Sequence, residues 1–232
     1  MGATGYNPRY LTEIPLPAAI QPRIDLPSAL QGIDALLIAV PSSAFAQTLQ
    51  RLAGQLPAAI PVIWATKGLD AASGGLLHEL ARQSLPDHPL AVLSGPTFAR
   101  EVARGLPTAV VLASHDQAIA QALSRDFHDE RFRVYTSGDL VGVELGGAVK
   151  NVLAIATGIA DGLGFGANTR AGLITRGLAE VRRLGASLGA EDRTLTGLAG
   201  MGDLILTCTD DQSRNRRMGL ALGRGESITA AA

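Results

Sequence analysis

The chain has little of several residue types, and each scarcity excludes a class of protein. Its 232 residues include a single cysteine, Cys208, which excludes an internal disulfide framework and fits a reducing compartment. Charged residues make up 18% of the chain and the formal net charge is −1, so no excess of positive charge exists to attract nucleic acid or an anionic membrane surface. Four histidines occur without metal-ligand spacing, so no metal site is predicted. The hydrophobic content of 47% predicts a globular protein with a substantial core.

Lysine is scarce in a more informative way. It occurs only at Lys67 and Lys150, while arginine supplies the other eighteen basic residues. Both lysines lie in apolar segments that contain glycine. Lysine can release its proton at a pH that proteins reach, and arginine cannot. Two interpretations stay open at this point. Either the two lysines are retained by chance, with side chains that reach the surface, or at least one of the two amines transfers a proton.

The longest apolar stretch, residues 140–160, has the length of a membrane span. Glu144, Lys150 and Asn151 lie inside it, and charged groups near the centre of a spanning helix are costly. We therefore expect a helix buried inside a soluble protein and no membrane insertion. Residues 1–16 are polar and contain prolines, so they do not have the pattern of a signal peptide.

Hydrophobic patterning divides the chain into two parts. The first alternates strands with helices; the predicted strands are residues 34–40, 61–66, 90–94, 108–113 and 132–136. The predicted helices between them are residues 43–56, 75–83, a short one starting near Thr97, and 116–127. This alternation is typical of an α/β, Rossmann-like, mainly parallel sheet covered on both faces. Beyond Ser137 only helices are predicted, over residues 139–160, 169–188 and 215–222, so we place one domain at residues 1–137 and an all-α domain at 138–232.

Three predicted strands end in residues suited to a ligand site. Ser42 follows the first, Lys67 the second, and Gly95 the third, where Pro96 and Thr97 are expected to start a helix with free N–H groups. Ligands of open parallel sheets bind at the carboxyl ends of the strands. The alternative is ordinary strand-to-helix turn chemistry, which uses the same residue types.

Lys150 and residues 213–215 are the candidates in the helical part. Gly146 and Gly147 precede Lys150 by one helical turn, so its side chain is expected to project over them and to leave room for a small ligand. Glu144, six residues earlier, is poorly placed to pair with it. Ser213 is expected to cap a helix beginning at Arg214, and the arginine and asparagine that follow it suit a phosphate. The alternatives are a lysine satisfied by protein groups and a solvated helix start.

In their order along the chain, these segments resemble the bacterial NAD(P)-dependent glycerol-3-phosphate dehydrogenases. The matching stretches are residues 7–11, 39–42, 64–69, 93–99, 105–109, 143–151, 173–178, 197–204 and 213–215. The family reduces dihydroxyacetone phosphate to sn-glycerol 3-phosphate with NADH or NADPH, and thereby supplies phospholipid synthesis in the cytoplasm. The resemblance implies NAD or NADP as the cofactor, a small-molecule substrate, and allows a homodimer.

The resemblance also implies roles for individual residues. It makes Lys150 the proton donor and acceptor, and Lys67 a second catalytic lysine that touches substrate and cofactor. The implied substrate-binding set is Lys67, Gly95, Thr97, Lys150, Asn151, Asp203, Ser213, Arg214 and Asn215. The implied cofactor-binding set is Ser42, Lys67, Ala99 and Arg214.

The match departs from the family at both ends. Family members begin with a strand and a Gly-x-Gly loop for the cofactor pyrophosphate, and they continue through further helices after the region matched by residue 232. We therefore expect the chain to correspond to the middle of the enzyme, lacking a central strand, and to show negligible turnover alone. Rival interpretations are a ketopantoate reductase, a hydroxyacyl-CoA dehydrogenase, or a fragment without catalysis.

Overall fold

The computed structural model describes residues 5–231, with side chains through residue 230. Five strands form the main sheet in the order β3-β4-β5-β6-β7. They are β3 (Leu36–Ile38), β4 (Val62–Trp64), β5 (Leu90–Ser94), β6 (Thr108–Ala113) and β7 (Phe132–Ser137). A separate antiparallel pair, β1 (Tyr6–Asn7) and β2 (Leu11–Pro15), precedes them. The α/β, Rossmann-like fold expected from the sequence is confirmed.

The sheet is parallel except at one junction. Strands β3, β4 and β5 run parallel, and so do β6 and β7, but β5 and β6 are antiparallel. A parallel crossover needs a helix long enough to return the chain along the sheet. The connection between β5 and β6 contains only the five-residue helix α4 (Ala99–Ala103), which fits a chain that turns back beside β5.

Helices cover both faces of the sheet, as the near-continuous apolar strands predicted. They are α1 (Leu26–Leu30), α2 (Ser42–Leu52), α3 (Leu77–Ser84) and α5 (Gln117–Phe127). On one face Phe45 of α2 packs edge-on against Trp64 of β4, with ring centroids 5.9 Å apart. On the other face Ala120 and Leu123 of α5 pack against Ile63.

The helical part is built around one long helix. Its elements are α6 (Leu140–Gly162), α7 (Gly166–Leu188), α8 (Asp192–Leu195), a π-helix (Leu198–Gly202), α9 (Asp203–Thr209), α10 (Arg214–Gly223) and α11 (Ile228–Ala231). Helix α6 is long and apolar enough to cross a membrane, but 56% of that apolar window is buried inside the protein. Leu140 and Val143 join the core of the sheet, so α6 has the position of a core helix shared by both parts.

Glycines bring α6 and α10 into backbone contact. A Cβ on Gly158 would lie 2.3 Å from the Arg216 carbonyl oxygen, and a Cβ on Gly219 would lie 2.2 Å from that of Ile155. Gly162 and Gly223 repeat the arrangement one turn later. Close approach fixes the start of α10 beside the middle of α6, where Lys150 and Asn151 lie.

Several sequence-based expectations need correction. The β1–β2 pair and the helices over residues 192–209 were not predicted, since glycine and polar residues there are typical of loops. Helix α4 begins at Ala99 and not at Thr97, because its first hydrogen bonds run to the Phe98 carbonyl. The division into domains at residues 137 and 138 stays a prediction; β7 ends and α6 begins on either side of it.

Candidate functional site

Lys67 lies in the turn directly after β4. Thr66 donates a hydrogen bond from Oγ1 to the Val40 carbonyl at 2.8 Å and so ties this turn to the end of β3. The Lys67 Nζ donates to the Gly95 carbonyl oxygen at 2.8 Å and to Asp203 Oδ2 at 2.6 Å. Only 18% of its side chain is exposed. The turn therefore delivers a nearly buried ammonium across the ends of three strands.

Lys150 reaches the same carboxylate from helix α6. Its Nζ donates to Asp203 Oδ1 at 2.7 Å and to Thr207 Oγ1 at 3.2 Å, and its side chain is 11% exposed. Thr207 lies one turn after Asp203 on α9 and donates to the Asp203 carbonyl at 2.6 Å. One buried carboxylate thus accepts from both lysines of the chain, one on each oxygen.

The charges of this cluster change the titration of Lys67. Burial lowers its pKa from 10.5 to about 8; the nearby Asp203 carboxylate opposes the shift, and the Lys150 ammonium adds to it. Two ammonium groups against one carboxylate leave a local excess of positive charge. Such a site suits an anionic ligand, and its lowered pKa lets Lys67 lose a proton more readily than an ordinary lysine does.

The two glycines before Lys150 have a different use from the one expected. A Cβ on Gly147 would lie 3.4 Å from Lys67 Cγ and 3.1 Å from Ser94 Oγ, and a Cβ on Gly146 would lie 2.5 Å from the Ala199 carbonyl oxygen. The space beside α6 therefore holds the Lys67 stem and the π-helix. The expectation of ligand room directly over these glycines was wrong, because protein atoms occupy it.

Gly95 and Thr97 form the third side of the cluster. Gly95 has φ +151°, and a Cβ there would lie 3.0 Å from Val110 Cα, so only glycine brings this turn against β6 without strain. Its carbonyl accepts from Lys67 and, at 3.2 Å, from Thr97 Oγ1. The helix after Thr97 has one turn and offers no long N-terminus for an anion.

Three of the four candidate cofactor residues, Ser42, Lys67 and Ala99, follow the carboxyl ends of β3, β4 and β5. Ser42 begins α2, whose N-terminus receives no side-chain cap, and a Cβ on Gly68 would lie 2.7 Å from Ser42 Oγ. Ser42 is thus beside the Lys67 turn. Ala99 is exposed at the start of α4. A hydroxyl, an uncapped helix end and an ammonium form a donor set that fits the polar and anionic groups of a dinucleotide.

The start of α10 lies next to Lys150. Asn215 Nδ2 donates to Asn151 Oδ1 at 2.8 Å, and Ser213 Oγ accepts from the Arg216 N–H at 3.2 Å, which confirms the predicted cap. Arg214 is exposed at the first position of the helix. Just before it, Gln212 Nε2 donates to Glu101 Oε1 of α4 at 2.8 Å, so the segment that precedes α10 contacts α4.

Sequence reasoning missed the support beneath α10. Arg216 is buried and donates to Asp161 Oδ2 at 2.6 Å and to Asp211 Oδ1 at 2.9 Å. Burial opposes ionisation of Asp161, but hydrogen bonds from Arg170 and Arg216 outweigh it and hold its pKa below 3.8. The sequence offers one indication of this buried role, because Arg216 lies three residues before Gly219 and so on the same face of α10. Its position within a run of charged residues favoured a solvated side chain instead.

Glu144 bonds to Trp64 and His78 and not to Lys150, so the poor pairing predicted from their spacing is confirmed. The histidines are less scattered than the sequence indicated, because the rings of His78 and His115 are 6.3 Å apart.

An open cleft of about 460 Å³ lies elsewhere, between α5, β7 and α8, and contains neither lysine.

Comparison with known proteins agrees with this arrangement. Residues 1–120 match the family described as NAD-dependent glycerol-3-phosphate dehydrogenase N-terminus, and residues 139–232 match the corresponding C-terminus. A glycerol-3-phosphate dehydrogenase [NAD(P)+] of Alkalilimnicola ehrlichii is 65% identical over 97% of this chain and 68% of its own length. The protein of the same description from Halorhodospira halophila is 58% identical over 100% of this chain and 69% of its own length.

A solved structure extends the likeness to three dimensions. The crystal structure of glycerol-3-phosphate dehydrogenase from Coxiella burnetii superposes with a TM-score of 0.96 at 52% identity, covering 100% of this chain and 71% of that one. The chain therefore spans about two thirds of the length of the relatives it matches. On the strength of both matched halves and this identity, the chain belongs to the NAD-dependent glycerol-3-phosphate dehydrogenase family.

Proposed function

We propose that this chain carries the active site of an NAD(P)-dependent oxidoreductase that interconverts dihydroxyacetone phosphate and sn-glycerol 3-phosphate. The observation that carries the proposal is the convergence of both lysines on Asp203, with Nζ–O distances of 2.6 and 2.7 Å. Lys67 comes from the turn after β4, and Lys150 comes from helix α6. A cluster with excess positive charge suits a small phosphate ester.

Lys150 is the proposed proton donor and acceptor. When a carbonyl at C2 is reduced, its carbon gains a hydride and its oxygen needs a proton; a bound nicotinamide cofactor supplies the hydride. The Lys150 ammonium gives the proton to the developing alkoxide, and in the reverse direction the neutral amine removes it from the hydroxyl. Asp203 and Thr207 hold the amine in one orientation during this exchange.

Lys67 is proposed to stabilise negative charge at the same oxygen. Its ammonium is fixed by Gly95 and Asp203, so it needs little reorganisation as charge develops. Its pKa of about 8 keeps it mostly protonated at neutral pH.

The remaining assignments follow the family pattern. We propose that Gly95, Thr97, Asn151, Asp203, Ser213, Arg214 and Asn215 bind substrate, and that Ser42, Ala99 and Arg214 contact the cofactor along with Lys67. Arg214 is exposed beside the Asn151–Asn215 bond, so its guanidinium can reach a phosphate over the cluster. A cytoplasmic location, a homodimer and a supply of glycerol phosphate for phospholipid synthesis belong to the same proposal.

The test uses the protein labelled with ¹⁵N-lysine, because two lysines give two side-chain signals. Dihydroxyacetone phosphate is titrated in, and NADPH absorbance is followed in a parallel assay. Displaced lysine signals with NADPH oxidation support the whole proposal and reject negligible turnover. If the lysine signals are displaced but NADPH is not oxidised, the binding site is supported and catalysis by this chain alone is rejected. Undisplaced signals, with dihydroxyacetone phosphate at millimolar concentration, overturn the proposal.

A further inference from the structure

Glu144 is a buried carboxylate that the proposed reaction does not use. It is 5% exposed on α6 and accepts three hydrogen bonds. Trp64 Nε1 donates to Oε1 at 2.9 Å, while Oε2 lies 2.6 Å from His78 Nδ1 and accepts from the His78 backbone N–H at 3.3 Å. A carboxylate at such depth is costly unless it is paired and fully hydrogen-bonded. Its partners therefore show what it holds in place.

Those partners lie on the two flanks of the segment that carries Lys67. Trp64 is the last residue of β4, three residues before Lys67. His78 is the second residue of α3, whose N-terminus has no side-chain cap of its own. By accepting the His78 N–H, Glu144 satisfies a helix-end donor and places negative charge at the positive end of α3. One side chain thus fixes both the entry to and the exit from the Lys67 segment.

The same residue is rigidly connected to Lys150. Glu144 and Lys150 lie six residues apart on α6, and the glycines between them contact the Lys67 stem and the π-helix. The three hydrogen bonds of Glu144 therefore fix the Lys67 segment to the helix that carries the other lysine.

We propose that Glu144 is a positioning residue, which sets the distance between the Lys67 and Lys150 amines by holding β4 and the start of α3 against α6. The inference rests on the proposed function for the role of the two amines, but its geometry does not depend on turnover. The titratable groups at this position are Glu144 on α6, His78 on α3 and His115 before α5, whose ring packs edge-on to that of His78.

The test measures the titration of Lys67 by NMR of its side-chain nitrogen, in the wild type and in Glu144→Gln. An amide cannot accept from all three donors, so the Lys67 segment is released from α6. Lys67 then gains water, and its pKa is expected to rise from about 8 towards the ordinary value of 10.5. The charges that act on Lys67 are those of Asp203 and Lys150, so loss of the Glu144 charge does not by itself give this rise.

Asp139→Asn is the matched control. Asp139 is also a buried carboxylate at α6, 7% exposed, but it accepts from the Gly142 and Glu191 N–H groups and not from the Lys67 segment. The control is expected to lower the melting temperature and to leave the Lys67 titration unchanged. Trp64→Phe, which removes one donor and keeps an aromatic ring in the core, takes the place of Glu144→Gln if that variant does not fold.

An unchanged Lys67 titration in folded Glu144→Gln or Trp64→Phe overturns the inference, and so does an equal shift in Asp139→Asn. Failure of the proposed function is a separate result, seen as wild-type lysine signals that dihydroxyacetone phosphate does not displace. Where turnover is measurable, Glu144→Gln is expected to lower kcat more than it raises KM, because the spacing of the amines is altered while the phosphate-binding arginine is untouched.

Discussion

Asp203 is the residue on which the candidate site depends. Its side chain is 1% exposed, and each carboxylate oxygen accepts from one lysine. Loss of one member of a buried ion pair is far more damaging than loss of a surface pair, because the remaining charge stays buried without compensation. Here two ammonium groups would lose their shared counterion.

Asp203→Asn is therefore expected to lower the free energy of unfolding by about 3–5 kcal/mol, the range for broken buried pairs. Urea denaturation monitored by circular dichroism measures it. Asp192→Asn, which removes an exposed pairing with Arg182, is the control and is expected to change stability little. A loss in Asp203→Asn no larger than in the control would contradict the ion-pair geometry.

Lys67 makes stability depend on pH in a defined window. Its pKa is about 8 in the folded protein and near 10.5 when unfolded, so between these values the unfolded chain binds more protons. Stability then rises as pH increases from about 8 to 10.5, since the cost of burying the charged amine disappears. We expect unfolding free energies measured across this range to rise, and Lys67→Met to lose that component of the slope. A slope equal in both proteins would contradict the assignment.

At the scale of elements, the pattern of apolar residues along the sequence predicts the strands well and the irregular helices poorly. The limits of β5 and β6 agree with the prediction, because each is a continuous apolar run bounded by turn residues. The π-helix was missed because its sequence, Leu198–Gly202, contains two glycines and no helical periodicity. The reversal of β6 leaves no trace in the sequence, because a strand covered by helices on both faces has a near-continuous apolar run in either direction.

Contact between α6 and α10 is the element-scale feature most open to test. Gly219→Ala places a methyl group against the Ile155 carbonyl, where the added Cβ would lie 2.2 Å from the oxygen. Overpacking of this kind costs about 1–3 kcal/mol. Gly172→Ala, in α7 with nothing within 4 Å of the added atom, is the control and is expected to stabilise by up to about 1 kcal/mol through helix propensity. Thermal denaturation of both variants measures the difference; equal effects would contradict close packing.

At the scale of the whole molecule, the site exists only where the sheet and the helices meet. The composition indicated both lysines as candidate site residues, and the family resemblance indicated Asp203. The hydrogen bonds between them join residues far apart in the sequence: Lys67 and Asp203 are 136 positions apart, and Lys150 and Asp203 are 53. No local pattern encodes contacts at that separation. Thr207 was missed for the same reason, because a threonine in an apolar helix has no distinctive spacing.

Lys150→Arg tests the proposed chemistry of the assembled site. Arginine keeps the positive charge beside Asp203 but does not release its proton, so dihydroxyacetone phosphate is expected to bind while its reduction slows by at least about 100-fold. NADPH oxidation measures the rate in a chimera that adds the terminal segments of a full-length relative, with Arg176→Lys on the exposed face of α7 as the control. A rate close to that of the wild type would remove Lys150 from its role.

The enclosure of both lysines also affects how the protein can be handled. Amine-directed cross-linkers and immobilisation resins normally attach to surface lysines, and this chain has two lysines, whose side chains are only 18% and 11% exposed. Conjugation of the folded protein with such reagents is therefore expected to be slow at both lysines, because their side chains are enclosed. Unfolding would expose both amines, so the extent of amine labelling would report whether a sample is folded.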